Sequence, residues 1–575
     1  MAATSRNGRS GQTGEDASTP DTRRWPTLEV PGSALRRLNA TILDPTTAAR
    51  TRDSDVPNPT AYVADWLLVP GLPGLGANDW IGVINDSLAS FTQADGAPQF
   101  EAVMLDDPSA GLEDGRLTPR AQLLRKLGLG QPPSDKDGGL VDRLDNAATT
   151  VVELRATPGN QGSSPPDAWT VLQRARARAG RGSTVPIGLC HVVTACGTGD
   201  AVGYGNNVGY GNNVGYGNNV GYGNNVGYGN NVGAPCPGGG PTGRFPVQLF
   251  VPDPRPTDST DGPVVAILDT GVGEHRWFQD GVDRDPQVLG TPIGLRFSPD
   301  TDPEGTGVTG DTVNGFLDPA AGHGTFIAGI IRQRCPTARI VSVPVMPGDG
   351  AAAEKVILDA LFALLVRHLL AKAEGKRGEE LQVVSLSFGY YHETPGSFDD
   401  ESALMRVLRE LSSAGVAVVA AAGNSSSDVE FYPAAFAERS DFEIPLVSVG
   451  SKNPDRAVVS LYSNTGSWVK SYRPGTAVVS TLPETFNASS RQQVLRLGNS
   501  NPARGLVDDD DFSTGFGVWS GTSFAAPAFA ADVAQQLATA AGSPSKVLGD
   551  KDVKDAVEHA LEDTKDNRPF DAGVA

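Results

Sequence analysis

Four polar residues stand where a serine-based reaction could use them, each among small neighbours. Ser523 lies in "WSGTSFAAP" (519–527), and Asn424 ends the apolar run "GVAVVAAAGN". Asp269 lies near the end of "GPVVAILDTG", and His323 stands between two glycines in "AAGHGTFIAGII". A serine hydroxyl is a poor nucleophile at neutral pH, so the reaction needs a base that accepts its proton, a task that suits histidine. An asparagine NH₂ group can donate a hydrogen bond to the oxyanion that forms.

Each of these residues also has a purely structural explanation. Ser523 could be a turn hydroxyl or a helix cap, Asn424 a turn residue, and Asp269 a helix cap or a metal ligand. The glycines beside His323 favour a functional role, because they let other groups approach the backbone closely. His275 lies so near Asp269 in the chain that we predict it to be a structural loop residue.

The segments that carry these residues predict a parallel sheet. Apolar, Val-rich runs recur after Phe245, at 262–271, 338–346, 381–389, 415–424 and 444–451. Strands this apolar are buried on both faces, as in parallel sheets covered by helices. Helical patterns at 355–375 and 400–413 fall between them, so we predict a doubly wound, mostly parallel α/β fold. Ligands bind such folds where the carboxyl ends of the strands meet loops.

An additional N-terminal α/β domain is predicted at 25–200. Strand-like runs lie at 61–69 and 100–105, and helix-like runs at 78–91 and 167–180, the last with Asp167 as its N-cap. The hexamer VGYGNN then repeats five times at 202–231, and its glycine content predicts a flexible linker rather than a self-associating or binding segment. The predicted division is a disordered N-terminus (1–24), the N-terminal domain (25–200), a Gly-rich repeat linker (201–245), a second domain (246–562) and a C-terminal tail (563–575).

Four motifs, in this order, give the chain a resemblance to a known family. "AILDTG", "GHGT", "AAAGN" and "GTSFAAP" resemble the signatures of the subtilisin-like serine proteases, the subtilases. The resemblance implies a serine endopeptidase with an Asp269, His323 and Ser523 triad, an oxyanion hole that uses Asn424, and an acyl-enzyme intermediate. It covers roughly 246–560 and implies a protein or peptide substrate.

The resemblance also implies where a substrate would lie. "VVSLSFG" is similar to the family segment that lines the first substrate pocket, with Ser387, Phe388 and Gly389 in the matching places. Gly423 matches the opposite wall of that pocket. Family members often carry a propeptide that folds and inhibits the enzyme, so the 25–200 domain could be a propeptide, a regulatory domain or a partner-binding domain. These three alternatives stay open.

Composition excludes some partners. The formal net charge of −20 would repel nucleic acid and anionic membranes. The most apolar stretch, from Lys355, is interrupted by Asp359, Arg367 and His368, so it predicts a buried helix rather than a membrane span.

Neither a cofactor nor a bound metal is required by the resemblance, although calcium often stabilises the family as a structural ion. Two loops, at 298–311 and 507–512, are acidic, but their sequences do not identify a set of calcium ligands. We therefore predict that both loops are solvated. The four cysteines (Cys190, Cys196, Cys236 and Cys335) fit no zinc pattern. The polar N-terminus lacks an export signal, which predicts a cytoplasmic protein with secretion as the alternative.

A binding or scaffold protein that keeps the fold without catalysis is the rival hypothesis. In that case the N-terminal domain and the repeats would carry the function. Because every triad residue is present in the sequence, we favour the peptidase. A fluorophosphonate probe separates the two, since a scaffold would not be labelled.

Overall fold

The structure is a computed structural model of the chain. It describes residues 28–50, 56–92, 97–108, 117–129, 138–160, 162–179, 185–196, 244–257, 262–310, 312–313, 315–394, 402–455, 457–489, 495–496, 504–505, 507–542 and 548–565. The VGYGNN repeat, the predicted disordered N-terminus and most of the predicted C-terminal tail lie outside these residues.

The strands before the repeat are β1 (Ala40–Leu43), β2 (Thr60–Pro70), β3 (Phe100–Met104), β4 (Thr149–Ala156) and β5 (Gly188–Ala195). The strands after it are β6 (Phe245–Pro246), β7 (Val264–Asp269), β8 (Val282–Asp283), β9 (Gln287–Val288), β10 (Thr291–Pro292), β11 (Arg339–Pro344), β12 (Ala351–Ala353), β13 (Val383–Leu386), β14 (Phe388–Tyr391), β15 (Ala417–Ala421), β16 (Phe431–Tyr432), β17 (Val447–Lys452), β18 (Ser471–Pro474), β19 (Val478–Thr481), β20 (Leu495–Arg496), β21 (Arg504–Gly505) and β22 (Phe516–Trp519). The α-helices are α1 (Gly32–Arg37), α2 (Asn78–Leu88), α3 (Pro119–Lys126), α4 (Gly138–Ala147), α5 (Ala168–Ala179), α6 (His323–Arg334), α7 (Glu354–Glu374), α8 (Ala403–Ser413), α9 (Thr522–Ala541) and α10 (Asp550–Lys565).

The predicted parallel sheet is confirmed. Seven strands pair in the order β18, β17, β15, β13, β7, β11 and β8, and every pairing is parallel. All six residues of β7 are buried, as expected for a strand covered on both faces. Helix α9 packs against β13, β15 and β17 and against α6, while α8 packs against β15 and α7. The sheet therefore brings the end of β7 and the starts of α6 and α9 to one region.

The single strand predicted at 381–389 is wrong, because this segment forms two strands in different sheets. β13 belongs to the parallel sheet, whereas β14 pairs antiparallel with β5. The break falls at Ser387, whose carbonyl accepts a hydrogen bond from the Cys196 N–H at 2.9 Å instead of continuing the parallel ladder. Hydrophobicity alone did not indicate this change of sheet, because both halves are buried.

A second, antiparallel sheet joins the N-terminal strands to the later part of the chain. Its order is β16, β14, β5, β2, β4 and β3, with β1 added to β2 and β12 added to β5. The segments predicted as strands at 61–69 and 100–105 are β2 and β3, and α2 and α5 pack together beside them. The carboxylate of Asp167 accepts a hydrogen bond from the Thr170 N–H at 3.3 Å, as expected of an N-cap. β5 is thus the strand through which the two parts of the chain meet.

None of the helices in the described ranges has both the length and the apolar character that a membrane crossing needs.

Candidate active site

Asp269 and His323 are in direct contact. Asp269 is the last residue of β7, and His323 is the first residue of α6, entered through Gly322 at a φ of 79°. The Nδ1 atom of His323 lies 2.8 Å from Oδ1 of Asp269. The same oxygen accepts the Thr270 N–H at 2.8 Å, which holds the carboxylate in place. This arrangement fixes the imidazole ring so that Nδ1 faces the carboxylate and Nε2 faces away from it.

The Nε2 atom of His323 is buried and has no hydrogen-bond partner among the described residues. The ring lies 5.5 Å from the Trp519 ring and 5.4 Å from the Phe524 ring, measured between centroids. Phe524 directly follows Ser523, so the imidazole packs beside the start of α9. A nitrogen held in this way is suited to accept a proton from a neighbouring group.

Ser523 is fully buried at the start of α9, and its hydroxyl contacts backbone carbonyls rather than His323. The hydroxyl donates to the carbonyl of Cys196 and also lies 3.1 Å from the carbonyl of Ser387. The Ser523 N–H donates to the same Cys196 carbonyl at 3.0 Å. The Ser523 hydroxyl and His323 are not hydrogen-bonded in this form, because a backbone carbonyl from the N-terminal part engages the hydroxyl.

Asn424 is held beside Ser523 through Thr522. The Oδ1 atom of Asn424 accepts the Thr522 N–H at 3.0 Å and the Thr522 hydroxyl at 2.9 Å. The Thr522 hydroxyl oxygen in turn accepts the Gly423 N–H at 3.1 Å. With its oxygen fixed, the Asn424 side chain keeps its NH₂ group as a donor next to the residue that precedes Ser523.

Three of the four residues predicted to bind substrate contact β5 or Cys196, which follows it. Phe388 and Gly389 of β14 lie opposite Ala195 and Thr194 in an antiparallel register. Ser387 donates its hydroxyl to the carbonyl of Ser523 at 3.0 Å. A Cβ atom on Gly389 would lie 2.3 Å from the Phe431 ring, so only glycine fits there.

Gly423, the fourth of these residues, has a φ of 96°, which favours glycine. A Cβ atom at this position would lie 2.5 Å from Nδ2 of Asn464. The position therefore has neither the space nor the backbone conformation for a side chain.

The last part of strand β5 (192–195) lies between two strands of the later part of the chain and is followed by Cys196, which contacts Ser523, whereas its first part (188–191) pairs with β2. It pairs with β14 on one side and with β12 on the other. The Ala195 N–H donates to the carbonyl of Gly350 at 2.9 Å, and the Cys196 N–H donates to the carbonyl of Ser387 at 2.9 Å. Because extended peptides bind clefts by adding a strand to an exposed edge, β5 lies here as a bound peptide would. The sequence analysis had no signal for this contact.

Glu304 is a buried acid that links the loops around Asp269 and His323. Its carboxyl oxygens accept hydrogen bonds from the hydroxyls of Thr270 and Thr325, the latter at 2.5 Å. Burial raises the pKa of Glu304 to about 8, although both hydrogen bonds oppose this effect. Sequence analysis missed this role, because Glu304 lies in the loop predicted to be solvated (298–311), and burial cannot be read from its acidic composition.

His275 agrees with its predicted structural role. Its Nδ1 atom accepts the Trp277 N–H at 3.0 Å and so caps a short 3₁₀ turn. Its ring is buried against the Phe516 ring, 5.2 Å away between centroids. Burial lowers the pKa of His275 to about 3, so this histidine is neutral over the ordinary pH range.

The second acidic loop brings three carboxylates together. Side-chain oxygens of Asp508, Asp509 and Asp510 lie within 4.8 Å of one another, and all three residues are partly exposed. Oxygen ligands of this kind suit calcium, but consecutive exposed aspartates are also common in solvated loops. In the first loop, Asp302 accepts the Glu304 N–H at 2.9 Å. The solvated character of the 507–512 loop stays a prediction.

Comparison with known proteins relates the later part of the chain to one family. The model described as "Subtilase family" matches residues 260–573. A thermophilic serine proteinase of Bacillus sp. (strain AK1) is 28% identical over 227 residues, which is 39% of this chain and 47% of that protein. Subtilisin BL of Lederbergia lenta is 29% identical over 237 residues, covering 40% of this chain and 69% of the relative. This chain spans just under half of the length of the Bacillus proteinase.

Among solved structures, a cold-adapted subtilisin-like serine proteinase aligns with 54% of this chain and 86% of its own. Its sequence identity is 20% and its TM-score is 0.32.

Proposed function

Since this chain belongs to the subtilase family, we propose that it is a serine endopeptidase that hydrolyses peptide bonds through Asp269, His323 and Ser523. The observation that carries this proposal is the contact of 2.8 Å between Asp269 and His323, with the Nε2 atom of His323 left without a partner beside the start of α9. The substrate-like position of β5 against Ser523 supports the same assignment.

The first step is the attack of Ser523 on the carbonyl carbon of a bound peptide. The hydroxyl must leave the Cys196 carbonyl and turn to His323, whose Nε2 atom takes its proton as the C–O bond forms. Asp269 keeps the imidazole in the tautomer that can accept this proton, and it stabilises the imidazolium. The N–H of Ser523 and the NH₂ group of Asn424 donate to the oxyanion, and removal of one such donor costs about a hundred- to a thousand-fold in rate.

The second step breaks the peptide bond. The imidazolium of His323 gives its proton to the leaving amine as the C–N bond breaks, which leaves an ester between the substrate and Ser523. Water then attacks this acyl-enzyme, His323 accepts the proton of the water, and the hydroxyl of Ser523 is restored. No organic cofactor takes part in either step.

Replacement of Ser523 with alanine tests this function. We expect Ser523→Ala to abolish hydrolysis of casein and labelling by a fluorophosphonate probe, because the nucleophile is lost while the small side chain still fits. Ser513→Ala is the matched control, because Ser513 is exposed on the loop before β22. Equal labelling of both variants would refute the role of Ser523, and a wild type that is never labelled would favour a scaffold.

We further propose that the N-terminal domain (25–200) inhibits the peptidase domain (246–562) by occupying its cleft as a substrate would. Two donors of Ser523, its N–H and its hydroxyl, reach the carbonyl of Cys196. The antiparallel pairing of β5 with β14 supports the same reading. Among the alternatives of propeptide, regulatory domain and partner-binding domain, this favours an inhibitory propeptide that is cut after Cys196.

Mass spectrometry of the purified chain over time tests this second proposal. We expect a fragment whose first residue is Gly197 to appear in the wild type and to be missing in Ser523→Ala. The rate should not depend on protein concentration, because the strand and the serine belong to one chain. Cleavage only at other bonds, or a rate proportional to concentration, would contradict the proposal.

A further inference from the structure

A buried ion cluster lies along β5, away from Ser523. His191 of β5 has its Nδ1 atom 2.9 Å from Oε2 of Glu354 and its Nε2 atom 2.9 Å from Oε2 of Glu393. The three residues are 1–2% exposed. The His191 ring stacks on the Tyr390 ring at 4.3 Å between centroids, and the Tyr390 hydroxyl lies 3.3 Å from Oε1 of Glu354. The triad described above uses none of these groups.

The cleft is the space between β12 and β14 in which the end of β5 lies. The two carboxylates belong to segments that continue β12 and β14, and the imidazole belongs to β5. Glu354 is the first residue of α7 and follows β12 directly, while Glu393 lies two residues after β14. β12 pairs with residues 192–194 of β5 and β14 with residues 194–195, whereas His191 lies opposite Tyr62 of β2. His191 comes five residues before Cys196, so it is the sixth residue on the N-terminal side of the bond proposed to be cut.

We propose that Glu354 and Glu393 form a substrate subsite for a cationic side chain at the sixth residue before the cleaved bond, the place that His191 fills in this structure. The subsite rests on the proposed peptidase function and on the substrate-like position of β5. A lysine or arginine, or a protonated histidine, is the chemical class of side chain that it would take.

The charges of the cluster support this choice of ligand. Arg176, 3.6 Å from Oε1 of Glu393, is also on the N-terminal side of the chain. That oxygen is buried and accepts no hydrogen bond from the described residues. When β5 leaves the cleft, His191 and Arg176 leave with it, and the two carboxylates remain at its walls without these cations. A peptide that places a cation between these carboxylates makes charge-assisted hydrogen bonds that a neutral side chain does not make, so it is favoured over a peptide without one.

A metal ion is the main alternative occupant. Ligand atoms of His191, His392 and Glu393 lie within 4.8 Å of one another. The guanidinium of Arg176 beside the same carboxylate disfavours a second cation, and the hydrogen bond between His191 and Glu393 already uses the atoms that would bind a metal. The observations therefore favour a protonated side chain over a metal, and the experiment below separates them.

The test compares internally quenched peptides that carry residues 191–199 of this sequence, with lysine, histidine, glutamine or glutamate at the place of His191. They are offered to the full chain after it has processed itself. We expect kcat/KM to fall about 10- to 100-fold from lysine to glutamine, and further for glutamate, because a charge-assisted contact is lost or a like charge is buried. Glu393→Gln should reduce the ratio between the lysine and glutamine peptides to within about threefold. Glu443→Gln, an exposed control, should leave the ratio unchanged.

Each outcome decides one point. Equal hydrolysis of all four peptides by the wild type would overturn the subsite and leave the peptidase standing. Hydrolysis of no peptide beyond the Ser523→Ala background, together with no Gly197 fragment from the wild type, would overturn the peptidase, and the subsite with it. A preference that disappears with a chelator and returns with zinc would overturn the proposal in favour of a metal. If Glu393→Gln does not fold, the peptide series with the wild type decides the question alone.

Discussion

Replacement of His191 with alanine should free the N-terminal strand from the cleft. The substitution leaves Glu354 and Glu393 buried but removes the imidazole that donates to both. Removing one partner of a buried ion pair costs about 3–5 kcal/mol, which is about 150- to 5,000-fold in the equilibrium between docked and released strand. Arg176 still lies 3.6 Å from Glu393, so we expect the lower part of this range.

Hydrogen exchange of the 192–196 amides measures this release, because this segment pairs with β12 and β14, whereas 188–191 pair with β2. The experiment uses chains that also carry Ser523→Ala, so that self-cleavage does not remove the strand. We expect exchange in His191→Ala to be at least about 100-fold faster, since local opening sets the exchange rate. His191→Lys keeps a cation, so its exchange rate should lie between those of the parent and of His191→Ala. Arg178→Ala, an exposed change on α5, should behave as the parent.

Two results would refute this reasoning. Exchange of the 192–196 amides that changes by less than about threefold in His191→Ala would mean that the cluster does not hold the strand. Equal loss of protection in β2 and β4 would mean that the N-terminal domain unfolds, rather than that β5 leaves the cleft. Only selective loss at β5 supports the docking role.

The same cluster predicts a pH dependence. Burial alone would lower the pKa of His191, but its hydrogen bonds to Glu354 and Glu393 outweigh burial and raise the pKa to about 9. Burial also lowers the pKa of His392 to about 3, so His392 stays neutral in this range. Because the pKa of His191 is raised above its unperturbed value of about 6.5, its stabilisation is complete below about pH 6.5 and is lost as the pH rises through 9. Protection of the 192–196 amides should fall over this interval, after correction for intrinsic exchange, and should persist to higher pH in His191→Lys.

Two further substitutions test the packing around the triad. Because burial raises the pKa of Glu304 to about 8, its carboxyl stays protonated in the native state while it ionises in the unfolded state. The unfolding free energy of the wild type, relative to Glu304→Gln, should therefore fall as the pH rises from about 4.5 to about 8; a difference that does not change with pH in urea titrations would contradict this. Gly389→Ala places a Cβ atom 2.3 Å from the Phe431 ring, so we expect lower activity or a melting temperature several degrees lower. Gly82→Ala is the control, because a Cβ atom at this position in α2 meets open space. It should keep the activity and the melting temperature of the wild type.

The parts of the fold that the sequence predicted are those with a local signal. Buried Val-rich runs mark the strands of the parallel sheet, and β7 is apolar up to Asp269 because both of its faces are covered. The carboxyl end of β7 then comes close to the start of α6, where Asp269 and His323 meet at 2.8 Å. The catalytic roles of these residues, and of Ser523 and Asn424, stay predictions.

The contacts that the sequence could not predict join segments with no shared pattern. Cys196 and Ser523 are 327 positions apart, and His191 and Glu393 are 202 apart. Such pairs depend on which strand edge accepts β5 and in which register, and a shift of one residue would turn His191 away from both carboxylates. The burial of Glu354 and Glu393 could not be predicted from the sequence either, since an isolated glutamate is usually solvated.

Inhibition and substrate choice are coupled if both use the same pair of carboxylates. A substrate peptide and β5 then compete for the same edges of β12 and β14, and each gains from a cation between Glu354 and Glu393. Any change that weakens the carboxylate pair must therefore weaken inhibition and lysine preference together. Glu393→Gln should accelerate hydrogen exchange of β5 by some factor. The ratio of kcat/KM for the lysine peptide to kcat/KM for the glutamine peptide should fall by a similar factor in the same variant. If inhibition weakens while the preference stays, the two ligands do not share this subsite, and the substrate-like position of β5 ends before His191.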